Sequence, residues 1–110
     1  MTQAINAAAA VVQTFPTDDS DVVGDAVAIP ARTRESTLVV AISFDNDPGA
    51  SEYLIEGSLD GTNWVEIDTL NFIDDTPQGV TVSPCGFTFF RTTQVTKTNV
   101  VTTTVTAQLV

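Results

Sequence analysis

The chain has 110 residues, 14 of them acidic and 4 basic, for a formal net charge of −10. That length bounds one core rather than two, and the acidic field repels polyanions, so no nucleic-acid partner is expected. Apolar residues make up 43% of the chain and charged residues only 16%, against roughly 25% charged in ordinary domains. This balance rules out disorder. It fits a surface partly hidden in an assembly, and equally a β domain whose surface is threonine.

In chain order, the first segment is residues 1–17. Met1 to Phe15 carries no charge and is rich in alanine and valine. Four consecutive alanines make Gln3 to Gln13 the one helix candidate. The same residues alternate, with Ile5, Ala7, Ala9 and Val11 opposite Asn6, Ala8, Ala10 and Val12, which favours an extended arm or an edge strand. No basic residue precedes the apolar run 4–12, so it is not expected to be a secretion signal. No apolar run reaches the roughly 18 residues of a membrane span, and no membrane partner is expected.

Residues 18–110 read as a single β domain. Val22 to Ile29 is a strand candidate closed by Pro30. Leu38 to Phe44 is nearly all apolar, with Val39, Val40 and Ile42 β-branched, the pattern of a central strand covered on both faces. Ser51 to Leu59 alternates, with Tyr53, Ile55, Gly57 and Leu59 on one face. Trp64 to Leu70 alternates again, with Val65 and Ile67 opposite Glu66 and Asp68. Gly86 to Gln94 holds Phe87, Phe89, Phe90 and Arg91. Asn99 to Val110 sets Val101, Val105, Ala107 and Leu109 against an outer face of threonine. The connectors are turn material, and Asp60-Gly61 between two alternating runs is a strong hairpin signal because Gly61 tolerates positive φ. Seven to eight strands with turns every 8 to 12 residues predict an all-β antiparallel sandwich, Ig-like or jelly-roll-like, with an N-terminal arm.

Little in the sequence points to covalent chemistry. Histidine is absent, which removes Ser-His-Asp triads, Cys-His pairs and His-ligated zinc. The single Cys85 excludes an intrachain disulfide and reads as a small apolar residue near a turn, as suits a reducing cytoplasm. Glu56 and Glu66 are a candidate carboxylate pair that strand register could bring together across the hairpin, but a solvated sheet face explains them better than a glycosidase site. Asp45-Asn46-Asp47-Pro48-Gly49 has the oxygen spacing of a calcium loop without its full ligand set, and Asx turns explain it better. Asp18-Asp19-Ser20-Asp21 reads as a solvated acidic loop. Trp64 and Tyr53 are possible sugar-stacking aromatics whose first use is packing. Arg91 is expected to snorkel or to pair with a carboxylate. No enzyme activity, cofactor or metal is expected.

Ser58-Leu59-Asp60-Gly61-Thr62-Asn63-Trp64 resembles the S-x-D-G-x-x-W hairpin of many small β-sandwich proteins from tailed bacteriophages. The resemblance extends over residues 36–110, through Phe89-Phe90-Arg91 to the Thr/Val-rich Val100 to Val110. Among phage roles it implies a capsid decoration (cement) protein, a homotrimer on the outside of the virion that binds the major capsid protein and bridges neighbouring subunits with terminal arms. On that reading Ile5, Val11, Val12 and Phe15 form the partner contact. The same hairpin is also compatible with a tail or neck protein and with a glycan-binding or adhesive module.

Overall fold

The alternating segments build two facing sheets. The computed structural model describes residues 3–4, 10–30, 37–83 and 85–110. Among these the strands are β1 (Gln3–Ala4), β2 (Val11–Phe15), β3 (Val22–Val23), β4 (Val27–Ala28), β5 (Leu38–Phe44), β6 (Ser51–Ser58), β7 (Trp64–Phe72), β8 (Gln78–Val82), β9 (Phe89–Lys97) and β10 (Thr103–Leu109). No helix occurs among the described residues. A six-stranded sheet runs β1-β4-β9-β6-β7, with β3 also on β9, and a four-stranded sheet runs β2-β10-β5-β8. Every pairing is antiparallel except β1 with β4. The antiparallel sandwich expected from the spacing is the fold observed.

The core lies between the sheets. Tyr53, Ile55, Phe72 and Phe90 of the six-stranded sheet meet Phe15, Leu38, Val40, Ile42, Val105 and Leu109 of the four-stranded one. Tyr53 is the centre of an aromatic cluster, with Phe15 at 6.0 Å, Phe44 at 6.0 Å and Phe72 at 5.8 Å between ring centroids. The edge-on geometry of the Phe15 and Phe72 contacts suits the ring quadrupoles and adds to simple area burial.

Several expectations are corrected in detail. Val22 to Ile29 is two short strands, whose pairing with β9 shifts by one residue between Val23–Thr93 and Val27–Phe90. Between them Gly24 lies tight against β9, where a Cβ would be 2.7 Å from the Thr92 carbonyl oxygen. Leu38–Phe44 is central in its sheet but covered on one face only, with Leu38, Val40 and Ile42 inward and Ala41 exposed. Nothing among the described residues packs on the other side of that sheet. Leu59 leaves the strand for the turn and is exposed. A bulge between Ile55 and Glu56 skips Ile67, so Ile67 packs on the core while Val65 is exposed. The last aromatic strand begins at Phe89 rather than Gly86, and Phe87 instead lies over Gly57.

Candidate functional site

Two surfaces collect the side chains singled out in the sequence. The first is the outer face of the six-stranded sheet. Register places Glu56 between Glu66 on β7 and Arg91 on β9, and Trp64 opposite Ser58. Arg91 Nε donates to Glu56 Oε1 at 3.0 Å, and its guanidinium carbon sits 4.2 Å from the Trp64 ring centroid. The carboxylate pair read from the sequence is thus real in register. One member is neutralised by Arg91, and the other, Glu66, accepts a hydrogen bond from Thr69 Oγ1 at 3.0 Å. Arg91 covers one face of the Trp64 indole, a cation–π contact that uses the ring for packing. Tyr53 is fully buried and cannot stack on an external ligand.

The second surface is the N-terminal side of the sandwich. Of the four expected contact residues, Val11 and Phe15 are core, 9% and 4% exposed, and Val12 is 53% exposed. Ile5 lies outside the described residues. From Val11 onward the segment is an edge strand paired to β10, because its odd positions complete the inter-sheet core. A groove of about 400 Å³ opens beside it, lined by Val12, Gln13, Phe15, Val22, Val23 and Asp25 among others.

A buried polar chain that the sequence did not reveal fixes this segment. Lys97, 5% exposed, donates from Nζ to the Phe15 carbonyl at 2.8 Å, the Val101 carbonyl at 2.6 Å and Thr103 Oγ1 at 3.0 Å. Thr103 Oγ1 lies 2.6 Å from the Tyr53 hydroxyl, which donates to Gln94 Oε1 at 2.7 Å. Gln94 Nε2 in turn donates to the carbonyls of Thr17 and Asp19. Tyr53 has one proton, which goes to Gln94, so Thr103 must donate to Tyr53 and accept from Lys97. Burial pushes the Tyr53 hydroxyl up to about 12, opposed by the Thr103 hydrogen bond. Burial also lowers the Lys97 ammonium below its ordinary value, opposed by the charges of Asp45 and Asp18.

The carboxylates of the Asp45–Gly49 loop and of Asp60 are spent on backbone N–H groups. Asn46 Oδ1 accepts from Asp47 N–H, Asp47 Oδ1 from Gly49 N–H and Asp45 Oδ1 from Thr102 N–H. Asp60 accepts from the backbone N–H groups of Asn63 and Thr62, which hold its carboxyl well below the usual range, and Gly61 takes φ 78°. Among the described residues no three acidic or cysteine side chains are placed to share a metal ion.

Charge is divided between the two sheets. The six-stranded sheet carries Glu52, Glu56, Glu66, Asp68, Arg91 and Lys97 in its strands. No residue of β2, β5, β8 or β10 is charged. Their outward positions are valine, alanine, glycine, serine, threonine and glutamine.

These features define a two-sheet β-sandwich with one charged and one uncharged outer face. The chain matches no protein-family model and no curated protein. In fold it is similar to the SPBc2 prophage-derived protein YomS, with TM-score 0.55 and 11% identity over 91% of this chain and 96% of that one. It is also similar to PirA, with TM-score 0.58 and 12% identity over 92% and 93% of the two chains. CBM4 is a third such structure, with TM-score 0.54 and 10% identity over 92% and 71%. At these identities the likeness is one of fold.

Proposed function

We propose that the chain is a non-enzymatic structural virion protein of a tailed bacteriophage, a decoration protein that binds the outer capsid and bridges its subunits. The observation that carries this reading is the four-stranded sheet. A molecule of net charge −10 has kept every strand of one sheet free of charge, and a face without like charges can lie against another surface without electrostatic repulsion. The S-x-D-G-x-x-W hairpin supports a phage setting. Its Trp64 and Asp60 are occupied by Arg91 and by the turn, as expected of scaffold.

The contact with the shell does not run through Val11 and Phe15, which the protein's own core consumes. Imaging of particles that carry the protein tests the assignment. Density spread over the shell faces supports decoration. A ring confined to the tail vertex would assign the chain to the tail or neck instead.

A further inference from the structure

The apolar run Leu38–Phe44 has the composition of a strand covered on both faces, yet among the described residues no strand lies over its outer face, where Ala41 is exposed and Val39 and Ser43 are half-buried. The neighbouring strands continue that face. Register aligns Val12, Thr106, Ala41 and Gly79 in one row across all four strands, and Thr104 beside Ser43 and Val39 beside Thr81 in flanking rows. Val12, Ala41, Gly79 and Thr81 are exposed, and Val39, Ser43, Thr104 and Thr106 are half-buried. No side chain in the central row is larger than valine, and Gln108, beside Val39 in a flanking row, is the one longer side chain in these rows, so the middle of the face is flat.

We infer that this face packs against the same face of a second copy of the chain. The inference rests on reading the protein as an assembly component and names the partner of the uncharged sheet. Charge decides the occupant. Two copies of net charge −10 repel wherever carboxylates oppose one another, and the strands of the other sheet bring Glu52, Glu56, Glu66 and Asp68. The four-stranded sheet brings none, and neither do its rims β2 and β8. A basic partner would be drawn to the acidic loops and the other sheet, not to the one face without charge. About a two-fold axis the face meets itself, small row on small row, and two-fold pairs are the commonest closed assembly. Four strands about 4.8 Å apart and seven residues of about 3.4 Å give roughly 450 Å² per copy, a contact of the weak class that local concentration on a particle would strengthen.

The test is sedimentation of the purified chain from about 1 µM to about 1 mM, the range in which so small an interface forms. Thr106→Glu and, as a second variant at the same face, Thr104→Lys are compared with Thr96→Glu on the six-stranded sheet, with circular dichroism confirming that each is folded. The expected result is self-association of the wild-type chain, weakened at least about tenfold by the first two substitutions and unchanged by the third. A wild-type chain that stays monomeric throughout overturns the inference, as does an oligomer that folded Thr106→Glu and Thr104→Lys leave intact. Binding of the same proteins to bare shells separates the two readings. A monomeric chain that binds shells until Thr106→Glu is introduced would assign the face to the shell, overturning self-pairing while leaving the decoration reading standing.

Discussion

Lys97 and Phe15 lie on different sheets, and the ammonium of the first donates at 2.8 Å to the backbone carbonyl of the second. This bond ends the N-terminal edge strand. It ties β2 to the six-stranded sheet, and Gln94, through Thr17 and Asp19, continues the tie along the next residues. Lys97 reaches inward because a bulge between Glu52 and Tyr53 skips Val95. Without it Gln94 and Lys97, three residues apart, would point to opposite faces of a period-2 strand.

Lys97→Met keeps the stem and removes the donor. Three acceptors then lose their partner, and an unsatisfied buried acceptor costs about 1–3 kcal/mol, so the loss is on the order of 3 kcal/mol. A denaturant midpoint measures it. A more stable variant would mean that desolvation of the ammonium outweighs its bonds.

Tyr53 sets an alkaline limit on stability. Its folded pKa of about 12 lies above the ordinary tyrosine value of 10.0. The neutral phenol is therefore favoured in the fold, and its contribution is complete below pH 10 and lost as pH rises from 10 through about 12, where the unfolded chain has released the proton first. Lys97 works in the opposite direction. Its lowered pKa makes stability rise with pH up to the ordinary lysine value of 10.5. Tyr53→Phe removes the loss above pH 10 and, by orphaning Gln94 Oε1, lowers stability at neutral pH by about 1–3 kcal/mol. Chemical denaturation at a series of pH values tests both effects.

Thr92 faces the core opposite Ile55, and its hydroxyl is buried without a hydrogen-bond partner among the described residues. Thr92→Val exchanges that hydroxyl for a methyl group of similar volume. The substitution is expected to raise stability by about 1 kcal/mol, since removal of an unpaired buried polar group recovers its desolvation cost. A lower melting temperature would show that the hydroxyl has a partner, such as a bound water.

Gly57 is closed to any side chain. A Cβ at this position would lie 2.5 Å from Phe87 Cγ, in the body of the ring rather than at a flexible tip. Gly57→Ala therefore displaces Phe87 and is expected to cost about 1–3 kcal/mol. Thermal unfolding measures it, and an unchanged midpoint would mean that Phe87 moves freely.

Most of the architecture was legible because one-face burial writes itself into alternation. Ser51–Ser58 and Thr103–Leu109 keep period 2 in burial, and Ser51–Ser58 pairs with Trp64–Phe72 in the expected hairpin. The misread places are those where the period breaks, around Gly24 and at the bulge that skips Ile67. The bulge that skips Val95 lies just past the segment Gly86 to Gln94. The buried polar chain left no local signal, since Lys97, Thr103, Tyr53 and Gln94 converge only through tertiary register. The division of charge between the sheets was equally hidden, because it emerges only once strand order is known. Leu38–Phe44 reads as covered on both faces, and the described residues cover one.

The central claim is that this sandwich binds the outside of a phage shell. Co-sedimentation of the purified chain with bare shells of its phage tests it most directly. The account predicts saturable binding of many copies distributed over the shell. A chain that remains in the supernatant while folded, or that binds only at the tail vertex, would contradict it.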